Sequence, residues 1–133
     1  MTSLSAKLLP PATVRPKVRA ALAAAGDPIP SRAGTLAAAP SDLIRSLPKW
    51  VDRFGLLQAA GTIILWCEPG VGEGETFPSQ FAIDLPPGRY FVDTLDARSL
   101  QWISRESAAG GPLVAGLPFA GGAVLVRIRA RGV

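Results

Sequence analysis

The chain has 133 residues, of which 48% are hydrophobic and 18% are charged, so it can build one core but is too short for a parallel (β/α) barrel. It contains no histidine and one cysteine, which excludes an internal disulfide and a thiolate metal cage. The net charge of +4 is uneven, because residues 1–60 carry eight Lys or Arg and three Asp or Glu, whereas residues 61–133 carry six and seven.

The first 40 residues are rich in Ala and Pro, and we expect them to form a flexible tail or linker. Pro16 suits the first position of a short helix and Gly26 suits its end. Val18 and Leu22 give that helix little apolar area, so residues 1–40 are expected to pack poorly. The start of the chain lacks the continuous apolar region of a secretory signal, and no apolar run approaches the roughly 20 residues that span a bilayer.

Residues 41–60 predict a short helical segment that packs on the rest of the fold. Large apolar residues recur there at helical spacing: Leu43, Leu47, Trp50, Val51 and Phe54. Pro48 interrupts a single helix, so two pieces are expected, 42–47 and 48–54, ending at Gly55. The apolar stripe is either a packing face or a groove for a partner, in which case the chain is a stand-alone protein-interaction module.

From Gly61 onwards the hydrophobic pattern becomes that of β-strands. TIILWC is a continuous apolar run typical of a strand buried on both faces, and QFAIDL alternates between apolar and polar positions. Turn residues separate six such runs, at 62–67, 80–85, 89–95, 100–104, 112–117 and 123–129. Six short strands with closely spaced turns predict an antiparallel β-sandwich over residues 61–133. The GVGEGE loop at 70–75 is interpreted as a solvated hairpin loop, with no metal.

Two stretches resemble a known family. LPPGRYFVDTLDARSLQW (85–102) and GGPLVAGLPFAGGAVLVRI (110–128) are similar to the C-terminal β-sandwich, of the collagen-binding type, that is attached to bacterial glycoside-hydrolase-like barrels. The matching positions are Pro87, Gly88, Tyr90, Asp96, Gly110, Gly111, Pro118 and Phe119. SDLIRSLPKW (41–50) resembles the last barrel helix and its exit. The resemblance implies a non-catalytic accessory domain that packs on a catalytic partner domain or binds polysaccharide weakly.

Tyr90 and Trp102 are the candidate ligand-binding residues for a polysaccharide. They lie on strands that flank the turn at 96–99, so they are expected to become cross-strand neighbours with one flat stacking surface. The alternative is that both rings belong to the core. No catalytic residue, cofactor, metal, membrane or nucleic acid is expected; for nucleic acid, the basic excess is modest and no aromatic residue precedes Trp50.

Other charged residues have two interpretations each. The carboxylates of Asp93, Asp96 and Glu106 lie near strand ends, where turn capping and surface charge explain them more simply than a glycosidase pair does. Three arginines alternate along the last strand and so share one face: Arg127, Arg129 and Arg131. They are interpreted as a solvated face that discourages edge pairing, with an anion site as the alternative.

Overall fold

The computed structural model describes residues 6–26, 36–59, 61–70, 80–118 and 121–131. Within these ranges the chain is mostly β, with two sheets and one α-helix. Most of the GVGEGE loop and the matched Phe119 lie outside the described residues.

The structure confirms that the C-terminal part of the chain is rich in β-strands, and it contains further strands before that part. In chain order they are β1 (Lys7–Leu8), β2 (Ala37–Ala38), β3 (Ile44–Ser46), β4 (Val51–Ala59), β5 (Thr62–Pro69), β6 (Gln80–Ile83), β7 (Arg89–Asp96), β8 (Gln101–Ala109), β9 (Leu113–Gly116) and β10 (Val124–Ala130). Helix α1 spans Pro11–Ala24, and a single 3₁₀ turn spans Ser41–Leu43. Each of the six predicted strands is present, as β5 to β10. The strand count exceeds six because β1 to β4 come from segments that were expected to be tail or helix.

Two sheets form a sandwich-like arrangement. The larger sheet has, among the described residues, seven strands in the order β1-β4-β5-β10-β7-β8, with β2 also paired to β4. The smaller sheet has the order β3-β6-β9. All pairs are antiparallel except the two-residue pair of β1 with β4, which is parallel. The last strand, β10, lies inside the larger sheet between β5 and β7.

The main core lies between the two sheets. From the smaller sheet it takes Ile44, Phe81, Ile83, Leu113 and Ala115, and from the larger sheet Val51, Phe54, Leu56, Leu65, Cys67, Val92, Val124, Val126 and Ile128. Cys67 is fully buried, as expected from its apolar neighbours, and this burial raises the pKa of its thiol.

A second core lies on the outer face of the larger sheet, under α1. The helix contributes Val14, Val18, Ala21 and Leu22, and the sheet contributes Leu57, Ile64, Trp66, Leu95 and Leu125. Trp66, which belongs to the run TIILWC, is therefore a core residue, as expected for a strand buried on both faces. Gly55 permits the close approach of the helix, because a Cβ atom there would overlap the side chain of Val14.

The expectation that residues 1–40 pack poorly is wrong for α1. The helix begins at Pro11 instead of Pro16, and the earlier start adds Val14 to the face formed by Val18 and Leu22. Pro11 occupies the first helical position, where a missing N–H costs nothing. Gly26 ends the helical region as expected, with a φ of 81° that suits glycine.

The prediction of helical pieces at 42–47 and 48–54 is also wrong, since the structure has the 3₁₀ turn, β3 and the start of β4 there. A β-bulge between Val51 and Arg53 explains the error. The extra residue places Val51 and Phe54 on the same face, and their spacing of three imitates a helix. Trp50, Val51 and Phe54 are buried, and Leu43 and Leu47 pack against the same core, so the apolar stripe packs within the fold.

Candidate ligand-binding face

Part of the outer face of the larger sheet carries charged and aromatic side chains. Leu95 of β7 and Leu125 of β10 lie opposite each other and belong to the core under α1. The next pair on the same face, two residues before Leu95 and two residues after Leu125, is Asp93 opposite Arg127. We call this surface the arginine face, and its members are Phe91, Asp93, Trp102, Arg105, Arg127 and Arg129.

Asp93 lies at the centre of the arginine face and is 1% exposed. Its Oδ1 accepts a hydrogen bond from Nε of Arg105 at 2.8 Å. Its Oδ2 accepts hydrogen bonds from Nη2 of Arg127 at 2.9 Å and from Nη2 of Arg129 at 3.2 Å. Strand register produces this arrangement, because Asp93 is paired with Arg127 on one side and Arg105 on the other. Three guanidinium groups around one carboxylate give the cluster a net charge of +2.

The three arginines differ in their exposure to solvent. The side chain of Arg127 is 10% exposed, that of Arg129 is 40% exposed and that of Arg105 is 70% exposed. Burial, and then the nearby charge of Arg129, lowers the pKa of Arg127 to about 10, so Arg127 remains a cation at neutral pH. Arg129 has a buried Nε with no hydrogen-bond partner among the described residues.

Trp102 is the exposed aromatic residue of this face. The guanidinium carbon of Arg127 lies 4.4 Å from the centroid of the Trp102 ring, which is a cation–π contact. The residue keeps 37% of its surface exposed. Beside it is a shallow cavity of about 280 Å³, lined by Asp93, Trp102, Ile103, Ser104 and Arg105.

A β-bulge in β8 shapes the cavity. Thr94 is paired with Ser104, but the next residue, Leu95, is paired with Trp102, so Ile103 is the extra residue. A bulge bends the strand and re-aims the neighbouring side chains. In a regular strand, Trp102 would lie on the opposite face from Arg105, because an odd number of residues separates them. The extra residue, Ile103, returns Trp102 to the face that carries Arg105 and Asp93.

The structure does not bring the two predicted ligand-binding residues together. Trp102 lies opposite Leu95, whereas Tyr90 lies at the other end of β7, opposite Ala108. The faces differ as well, because Tyr90 packs on the core between the sheets and its hydroxyl donates a hydrogen bond to the Pro86 carbonyl at 2.8 Å. The expectation that they are cross-strand neighbours is wrong, because the tight turn after Asp96 pairs Trp102 with a residue near the turn.

The carboxylates of Asp93, Asp96 and Glu106 lie in three separate parts of the structure. Asp96 caps the turn as expected, since its Oδ1 accepts from the Arg98 amide and its Oδ2 accepts from the Ser99 hydroxyl, each at 3.0 Å. Glu106 accepts a hydrogen bond from the Gly116 amide of β9 at 3.0 Å. Only Asp93 belongs to the arginine face. Within the described ranges there is no group of three or more His, Cys, Asp or Glu residues that could hold a metal ion.

Sequence reasoning recognised the arginine alternation on β10 but missed the role of Asp93. The sequence contains one signal for this role: Asp93 lies in the middle of FVDTL, an apolar, β-prone run, and arginines occupy alternate positions of the last strand. A buried carboxylate requires charged partners, and arginine is the best of them. Which arginines these are depends on strand pairing.

Comparisons with known proteins give no relative for this fold and face: no family model matches the chain, and neither the curated proteins nor the solved structures contain a match. Across the described part of the chain, no helix has the length and apolar character needed to cross a membrane.

Proposed function

We propose that the chain is a non-catalytic accessory domain of a glycoside-hydrolase-like enzyme and that it binds polysaccharide weakly through the arginine face. The resemblance of residues 85–102 and 110–128 to such β-sandwich domains supports the accessory role. The observation that carries the binding role is the position of Trp102, a partly exposed ring beside a shallow cavity and in contact with Arg127.

The chemistry of sugars favours such a surface. The apolar faces of pyranose rings pack on aromatic rings, and their hydroxyl groups accept hydrogen bonds from charged donors such as guanidinium. The contact of Arg127 with Trp102 fixes the ring before the ligand arrives, which lowers the entropy cost of binding. The cavity is shallow and buries little of a ligand, so the affinity per site is low.

The state of the carboxylates supports the non-catalytic part of the proposal. A general acid or base must be able to exchange a proton with the substrate. Asp93 is enclosed by three arginines, Asp96 is engaged in its turn, and Glu106 lies on the other side of the sheet with a backbone partner. These three groups are therefore positioned to support structure.

The change Trp102→Ala tests this function directly. We expect it to weaken binding to polysaccharide about tenfold or more, since a tryptophan at the centre of a small contact supplies much of the binding energy. The melting temperature should fall by about 5 °C or less, because the lost cation–π contact is partly solvated. Affinity electrophoresis in gels containing a panel of soluble glycans measures the first effect, and calorimetry measures the second.

Val114→Ala is the matched control, because Val114 is an apolar residue, 48% exposed, on β9 of the smaller sheet. It should retain full binding. Equal retention of glycan by the wild type and the Trp102→Ala variant would contradict the proposed site, and so would equal loss of binding in the two variants.

A further inference from the structure

We infer that the glycan recognised by the arginine face is anionic, with carboxylate or sulfate groups on its sugar units; this inference rests on the proposed function and specifies its ligand. The arginine face combines a stacking ring with a surplus of positive charge. A neutral glycan uses the first of these features, whereas an acidic glycan uses both.

The charge surplus comes from the numbers of donors and acceptors around Asp93. The carboxylate has two oxygens, and each guanidinium group has several N–H donors in a planar fork. Arg105 reaches Asp93 through Nε alone, so its Nη groups make no hydrogen bond to the described part of the chain. Arg129 donates to Asp93 through its Nη2, and its side chain is 40% exposed. The cluster therefore retains donors suited to a second anion.

The donors and the ring lie around the same cavity. Arg105, Trp102 and Asp93 all line it. Asp93 is buried and surrounded by guanidinium groups, so its charge is compensated before a ligand anion arrives. A sugar ring stacked on Trp102 would bring a substituent of that ring within reach of the exposed fork of Arg105.

A further cation extends the positive charge along the sheet. The guanidinium carbon of Arg131 lies 5.6 Å from the Phe91 ring centroid, and that of Arg129 lies 5.9 Å from it. Phe91 is directly opposite Arg129 in the strand pair. A chain of acidic sugars that crosses β7 and β10 would thus meet successive cations, and this repetition favours a polymer over a single acidic sugar.

The test compares glycans that differ only in charge. Polygalacturonate is paired with its fully methyl-esterified form, dextran sulfate is paired with dextran, and a single-stranded oligonucleotide provides an anion that is not a sugar polymer. Binding is measured by isothermal titration calorimetry at about 20 mM and about 300 mM NaCl, where the screening length differs severalfold. We expect the charged member of at least one pair to bind at least about tenfold more tightly than its neutral counterpart, with weaker binding at the higher salt concentration.

Arg105→Gln should weaken binding of the acidic glycan about fivefold, the effect of one partly solvated ion pair. It should weaken binding of the neutral glycan less, because glutamine still donates hydrogen bonds to sugar hydroxyl groups. Arg45→Gln is the matched control. Arg45, on the smaller sheet, is 62% exposed and pairs with Asp84 at 2.9 Å through its Nε, the same donor atom that Arg105 uses toward Asp93. It should bind like the wild type.

The outcomes separate this inference from the function on which it rests. A preference for the carboxylate or for the sulfate polymer supports the inference and identifies the group. Equal binding of charged and neutral members overturns the inference and leaves the polysaccharide function intact. Absence of binding to every glycan overturns both. Tighter binding of the oligonucleotide than of any glycan overturns both as well, and assigns the arginine face to nucleic acid.

Discussion

At Asp93, a single carboxylate that is almost fully buried accepts hydrogen bonds from three guanidinium groups. Charged hydrogen bonds of this kind offset the cost of removing the carboxylate from water, and losing the charge of Asp93 leaves a buried guanidinium without this ion pair. Arg127 is the critical partner, because its side chain is only 10% exposed. The shape of the arginine face therefore depends on the charge of Asp93.

Asp93→Asn keeps the shape of the side chain and removes its charge. We expect the free energy of unfolding to fall by about 3 kcal/mol, because the buried guanidinium of Arg127 loses its ion pair with Asp93. Asp52→Asn is the control, since Asp52 and Arg53 form an exposed pair at 3.5 Å, and it should change stability by about 0.5 kcal/mol or less. Urea unfolding curves measure both variants. Equal, small losses in the two variants would show that Asp93 is not an organising residue.

Sequence reasoning at the residue scale found Trp102 and the alternating arginines but not the residue that joins them. Trp102 and Arg105 come together with Asp93 only through the pairing of β7 with β8 and the bulge at Ile103. Both are non-local properties, and a pattern within one strand does not determine them. The separation of Tyr90 from Trp102 is also a property of the strand register, which the turn sets and which neither strand reveals alone.

At the scale of elements, helix α1 packs on the sheet through apolar side chains and through a charged contact between Lys17 and Glu68. Nζ of Lys17 lies 2.7 Å from Oε2 of Glu68 on β5, and the same oxygen accepts a hydrogen bond from the Trp66 indole at 2.9 Å. Burial alone would raise the pKa of Glu68, but the contacts with Lys17 and Trp66 outweigh it and hold the pKa below its ordinary value.

This lowered pKa predicts an acid-dependent contribution of Glu68 to stability. A carboxyl group with a lower pKa in the folded state stabilises the fold above its ordinary pKa, about 4.3, and loses that contribution as the pH falls through its folded value. The wild type should therefore be more stable than Glu68→Gln at pH 6, and the difference should shrink as the pH falls below the ordinary pKa of a glutamate, about 4.3. Urea unfolding across this range measures it. A difference that stays constant with pH would contradict the role of the charged contact.

The elements that the sequence predicted well are those with local patterns. Strands β5 to β10 have alternation or continuous β-branched runs bounded by turn residues, and these signals depend on few neighbours. The segment containing β4 was misassigned because its bulge between Val51 and Arg53 produces a helix-like spacing. Helix α1 was undervalued because its small apolar face is stable only against the sheet, where Gly55 makes room for Val14.

At the scale of the whole molecule, three layers explain why a charged face is left open. The smaller sheet covers the inner face of the larger sheet, and the core under α1 covers the outer face over β4, β5, the start of β10 and the end of β7. The rest of the outer face, on β7, β8 and the end of β10, is the arginine face. Because β8 is an edge strand and is exposed over most of its length, this surface is accessible to a long ligand.

The central claim is that a polysaccharide binds at Trp102, and the three tryptophan indole N–H signals in a ¹H–¹⁵N spectrum test it most directly. Trp50 is fully buried and Trp66 is held in the core by Glu68, so only the Trp102 signal should move when fragments of the glycan best retained in affinity electrophoresis are added. The movement should increase smoothly with ligand concentration, as expected for weak binding in fast exchange. Three unchanged indole signals at a saturating concentration, or movement confined to Trp50 and Trp66, would contradict the claim.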